Sequence, residues 1–141
     1  MKHLLVITSM LFSLAASADP AKVTVLDGED LAQRIVAVSV REEVPAADAR
    51  VATARKWLER AAKIYGEDPR SVAASCERSA RWFFDITRSP AKALEMLEAL
   101  SLLARPGMPM QDAMRDYLQA RRESPNKTHA EALAKLKVAT R

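Results

Sequence analysis

Three thioether sulfurs gather around one proline: Met108, Met110 and Met114 flank Pro109. Thioethers are soft donors that select Cu(I), and positions 110 and 114 share one face of a helix, so with His129 as a fourth ligand they define a copper-carrier set. The same residues also suit a core, because methionine is unbranched and fills irregular gaps, and both 110 and 114 fall on the inward stripe of their segment. Core filling is the first reading and Cu(I) the alternative; no cofactor is otherwise expected. A haem would need His129 in a deep pocket opposite Met96, and the chain has no Cys-x-x-Cys-His attachment run.

Acid–base chemistry meets a scarcity of groups. Besides His3, the chain has one histidine, His129, which any Ser-His-acid or Cys-His arrangement must use. It falls just inside the start of the last expected helix, where an imidazole faces solvent rather than a tuned pocket. Two carboxylates suffice for glycosidase-type chemistry, and Glu42, Glu43, Asp48, Glu67, Asp68, Glu77, Asp85, Glu95, Glu98 and Asp112 are available to a small hydrolase of the cell envelope. Most of these sit where a cap or a solvated helix face would place them, and no Gly-rich phosphate loop or nucleophile elbow accompanies them. The single cysteine, Cys76, excludes an internal disulfide and, with two histidines, a structural zinc site. It lies on an apolar stripe and is expected to be a buried thiol.

Recognition is better supplied. Arg78 and Arg81 flank Trp82, and Trp and Arg are the residue types that concentrate binding energy at protein interfaces, so these three are the candidate partner-binding residues. Arg81 and Asp85 stand at i, i+4, and Arg115, Asp116, Arg121 and Arg122 decorate a later segment; both sets read as solvated, paired helix faces. A formal charge of +4 without a dense basic face and interleaved aromatics argues against a nucleic-acid partner.

The elements that must hold these residues are helical. Apolar residues recur at spacings of three and four between prolines at 45, 69, 90, 106, 109 and 125. Val51, Ala54, Leu58, Ala61 and Tyr65 form the stripe of a helix from Ala46 to Tyr65, stopped by Gly66, with Arg50, Lys56, Glu59, Arg60 and Lys63 toward water. Asp68-Pro69 opens a second helix toward Arg88, with Val72, Cys76, Ala80, Phe83 and Thr87 inward. Ser89-Pro90 opens a third to Ala104, apolar nearly all round and therefore central. A fourth runs from Met110 to about Arg122, and a capping box of Thr128 and Glu131 starts a short terminal helix. Before Pro45, helix is preferred to strand around Leu31, Ile35 and Val38, with Asp27 as cap, because no second strand exists to pair with it; Val23 to Leu26 reads as an extended arm. The residues Trp57 to Ala62 with Gly66 resemble one helix of a tetratricopeptide-type repeat, but the intervals between start signals shrink along the chain and no repeat follows.

The expected organisation is all-α, a single bundle of about five helices after a cleaved signal peptide: the signal over 1–18, an arm and first helix within 19–44, and the helical bundle over 45–141 in one domain with 19–44. The signal reading rests on Lys2, the apolar run from Leu4 to Ala16, too short to span a bilayer, and the small residues Ala16 and Ala18 before Asp19-Pro20. Cleavage after Ala18 would remove one positive charge with Lys2 and leave no transmembrane segment. The expectation is a periplasmic or secreted, non-catalytic helical protein that binds a protein partner as adaptor, inhibitor, immunity factor or chaperone. Intact-mass measurement of the exported protein is expected to place its first residue at Asp19; a mass that still includes Met1 would reject the cleavage.

Overall fold

A computed structural model describes residues 30–139. The signal segment, its Ala18 cleavage site and the Val23–Leu26 arm lie outside the described residues. Six helices follow one another within them: α1 Leu31–Val40, α2 Ala49–Tyr65, α3 Pro69–Thr87, α4 Ala93–Leu103, α5 Met110–Glu123 and α6 His129–Ala139. The all-α expectation holds for these residues, with six helices where about five were expected, because Leu31–Val40 is a full helix. Ala32, Ile35 and Val36 bury its inner face.

Side chains set most of the helix starts. The carboxylate of Asp30 accepts from the Gln33 N–H at 3.0 Å and opens α1, so Asp30 rather than Asp27 is the cap of this helix. Asp48 accepts from the Arg50 N–H at 2.8 Å, which delays α2 by three residues relative to the expected start at Ala46. The Arg50 guanidinium bonded to the same carboxylate, together with that N–H, holds the Asp48 carboxyl down at about 2. Asp68 caps α3 through the Arg70 N–H at 2.7 Å, with Pro69 as its first residue, as the Asp-Pro pair implies. Thr128 and Glu131 exchange the two bonds of a capping box at 3.2 Å each and start α6. At the end of α2, Gly66 takes the left-handed conformation, φ +66°, that a residue without Cβ adopts at no steric cost.

The Ser89-Pro90 pair does not open α4. That helix starts three residues later, at Ala93, where Glu95 accepts from the Lys92 N–H at 3.0 Å. Its exit lacks a glycine, and α2 supplies the missing partners: the Arg60 Nε donates to the Ser101 carbonyl at 3.0 Å and the Tyr65 hydroxyl to the Leu100 carbonyl at 2.7 Å. These are carbonyls a helix terminus leaves without an internal donor. Arg60 thus closes a neighbouring helix instead of only facing water.

Helix α4 is central, touching α1, α2, α3 and α5, while α6 packs on α5. Met96, Leu97 and Leu100 are fully buried on it, together with Phe83, Cys76 and Val72 of α3 and Val51 and Ala54 of α2. Cys76 is a free, buried thiol that burial pushes up to about 12, so it stays protonated and reads as packing volume. The helix is not buried all round, because Leu102 projects outward with half its surface exposed. Leu97→Ala is expected to cost about 2–5 kcal/mol in urea denaturation, the range for emptying a packed leucine site. Leu102→Ala should change stability by less than about 0.5 kcal/mol; equal losses at both positions would contradict this orientation of α4.

Candidate functional site

Helices α3 and α5 leave a groove of about 530 Å³ between them. Ser75, Arg78, Ser79 and Trp82 form one wall, and Gln111, Met114, Arg115, Leu118, Gln119 and Arg122 the other. Both walls follow helical periodicity, so each is one stripe of its helix. The lining joins an apolar floor of Trp82, Met114 and Leu118 to three arginines and contains no carboxylate. Trp82 is 48% exposed. Arg115 is occupied by Asp112 at 2.9 Å and Asp116 at 3.4 Å on its own helix. Arg78 and Arg122 have no ion-pair partner among the described residues and face open solvent.

A polar network on the inner side of α5 sets the rotation of that wall. Arg121 is 3% exposed. Its Nη1 donates to Glu95 Oε2 and to the Tyr117 hydroxyl, each at 2.8 Å; its Nη2 donates to the Pro90 carbonyl at 3.0 Å; its Nε donates to the Lys127 carbonyl at 2.8 Å. The guanidinium carbon lies 5.1 Å from the centroid of the Phe83 ring, a cation–π distance. Beyond Arg121, Tyr117 stands 2.7 Å from His129 Nδ1, and His129 Nε2 stands 2.8 Å from Glu98 Oε2. An arginine only donates, so the Tyr117 oxygen accepts from it. In the tautomer with its proton on Nε2, the imidazole accepts from the phenol and donates to Glu98. No buried side-chain polar atom among the described residues lacks a partner.

In outline this is a nucleophile, a base and an orienting carboxylate, the arrangement that activates a hydroxyl in acyl-transfer enzymes. Burial gives it another use. Tyr117 is fully enclosed, and desolvation pushes its phenol up to about 12. The hydroxyl that would attack has no route to a substrate, and the series ties α4, α5 and α6 together.

The structure brings two of the three sequence-selected recognition residues to the groove, Arg78 and Trp82. Arg81 is exposed outside its lining, and it forms no ion pair with Asp85 despite their i, i+4 spacing. Two assignments are corrected. Arg121 is the most buried cation described rather than part of a solvated face. His129 has 16% of its side chain exposed and bonds through both nitrogens, rather than facing solvent. Of the sulfurs, Met110 and Met114 are buried in the core and Met108 packs against it, and Met114 also borders the groove. With both ring nitrogens of His129 engaged, a fourth copper ligand there would have to break one of its two hydrogen bonds. Glu95, Glu98 and Tyr117 escaped notice as a unit; the one signal was a tyrosine on an apolar stripe, whose hydroxyl must find a buried partner.

No family model matches the chain, and comparison with curated proteins and with solved structures finds no match either.

Tyr65 and Tyr117, the two tyrosines of the chain, are both pushed up to about 12 by burial, from 10.0 for a free phenol. A raised phenol favours the folded state below its unfolded value and loses that contribution as pH rises through the folded one. Ultraviolet titration should therefore show little phenolate at pH 10, with ionisation of both rings coinciding with loss of helical circular dichroism above it. Half-ionisation of either tyrosine at pH 10 in the folded protein would contradict its enclosure.

Proposed function

We propose that this chain is an exported, non-catalytic module of the periplasm or envelope that binds a protein partner, as adaptor, inhibitor, immunity factor or chaperone, in the groove between α3 and α5. The supporting observation is the groove lining: a half-exposed tryptophan and two apolar neighbours beside Arg78 and Arg122, two exposed arginines with no ion pair among the described residues. An exposed Trp of this kind is a suitable anchor, since most binding energy comes from a few aromatic and arginine side chains at the centre of a contact. The buried series behind α5 supports the same reading, because a rigid wall loses little entropy when a partner is seated on it.

Photo-crosslinking in living cells tests the proposal. A crosslinking side chain at Ser79 or Gln111, inside the groove, is expected to give one discrete protein adduct. The same group at the exposed Val38 of α1 should give none. Trp82→Ala is expected to weaken the groove adduct about tenfold or more, the effect of losing an interfacial hot spot. Adducts at Val38 alone, or groove adducts indifferent to Trp82→Ala, would reject the site.

A further inference from the structure

The composition of the groove also restricts which occupant it accepts, a restriction that rests on the groove being the protein-binding site proposed above. The walls are two helices whose backbone amides and carbonyls are used internally, so they offer no ladder to an extended strand. A strand seated there would leave its own backbone groups without partners, whereas a helix satisfies them itself. The spacing of the walls agrees. Residues 75, 78, 79 and 82 on α3, and 111, 114, 115, 118, 119 and 122 on α5, present the i, i+3, i+4 ridges into which a third helix packs. From Gln111 to Arg122 the wall runs about 16 Å, roughly three helical turns.

Charge selects among helices. Arg115 is held by Asp112 and Asp116. The carboxylate at the other end of α5, Glu123, is bonded to Lys135 and Gln119 and feels the Arg122 charge beside it without forming an ion pair to it. Arg78 on one wall and Arg122 on the other remain as exposed cations with no ion pair among the described residues, on either side of the apolar floor. We propose that the occupant is an acidic amphipathic helix of the partner protein, with its apolar face on Trp82, Met114 and Leu118 and its carboxylates toward Arg78 and Arg122. A basic helix would bring like charges against these two guanidiniums, and a neutral one would leave them unpaired at a closing interface.

A display library of random peptides about 16 residues long, enough for four turns of helix, is selected on the exported protein. Binders are rescored on Trp82→Ala and on the double variant Arg78→Glu/Arg122→Glu. Arg78, Trp82 and Arg122 are exposed, and none takes part in the hydrogen bonds that hold the fold, so the variants should keep the parent's circular dichroism. Selected peptides are expected to carry Asp or Glu beside apolar residues at i, i+3 and i+4, to gain helical signal on binding and to bind more weakly as salt is raised. The charge-reversed protein should bind them at least about tenfold less tightly. Neutral or basic peptides, or acidic peptides indifferent to the charge reversal, overturn the proposal. So does selection that yields no groove-dependent peptide while the long-chain carboxylate dodecanoate quenches Trp82 fluorescence, which would assign the groove to a small amphiphile. The cellular crosslink separates the two levels. Groove adducts that survive Arg78→Glu/Arg122→Glu overturn the acidic helix and leave the protein-binding reading standing, whereas the absence of any groove adduct overturns both.

Discussion

One buried guanidinium organises the second half of this chain. Arg121 brings a planar, permanently charged fork into the interior, where an unpaired charge would be costly, and finds four acceptors there, two backbone carbonyls and two side-chain oxygens. Pro90 belongs to the connection before α4, Glu95 to α4 itself, Tyr117 to α5 and Lys127 to the turn before α6. Phe83 of α3 covers its face. Only an arginine fits this position, because a lysine has a single nitrogen and no plane, and could reach neither all four acceptors nor stack on the ring. The role of the cation is therefore geometrical: it fixes where two connections run and how three helices are turned relative to one another.

Glu95 and His129 extend that constraint outward. Glu95 uses one oxygen for both the Lys92 N–H and Arg121, so the residue that starts α4 also anchors α5. This explains why α4 begins at Ala93 instead of following Ser89-Pro90 directly. The Pro90 carbonyl is committed to Arg121, and the chain around it is drawn toward α5 before the helix begins. His129, first residue of α6, reaches back to Tyr117 and Glu98, so a short terminal helix gains two bonds to the core beyond its own packing. Because Tyr117 and Arg121 must point inward, Leu118 and Arg122 on the neighbouring strip of α5 line the groove, with buried Met114 at its border. The position of the candidate binding surface is thus a consequence of the buried polar series.

Local physics was legible in the sequence and distant pairing was not. Asp68-Pro69, Gly66 and the Thr128–Glu131 box act within one turn of themselves, and the structure places all three as their chemistry implies. The apolar stripes of α2, α3 and α5 also turn inward, Cys76 and Tyr117 included, because periodicity reports which face is oily. It does not report what a polar residue on the border of a stripe will meet. Arg121 and Glu95 are 26 residues apart, His129 and Glu98 are 31, and Arg60 and Ser101 are 41. Each looks like an ordinary surface residue until the partner helix is in place. The error at His129 has the same origin: the first turn of a helix is usually wet, and here it happens to abut two other helices.

Trp82 and Arg121 lie on facing helices and illustrate opposite solutions to the same problem. An amphiphilic side chain near an interface can be satisfied by the protein, as the guanidinium of Arg121 is by carbonyls, a carboxylate and a ring, or it can be left for water. Arg78, Arg122 and half of Trp82 take the second course, although the carboxylates Asp112, Asp116 and Glu123 lie on α5, the helix that also carries Arg122. Those acids are drawn instead to Arg115, Lys135 and Gln119. Internal pairing thus occupies the acids of α5 while Arg78 and Arg122 stay exposed and outside any ion pair among the described residues, and an apolar strip beside such cations attracts acidic amphipathic matter more strongly than either feature would alone.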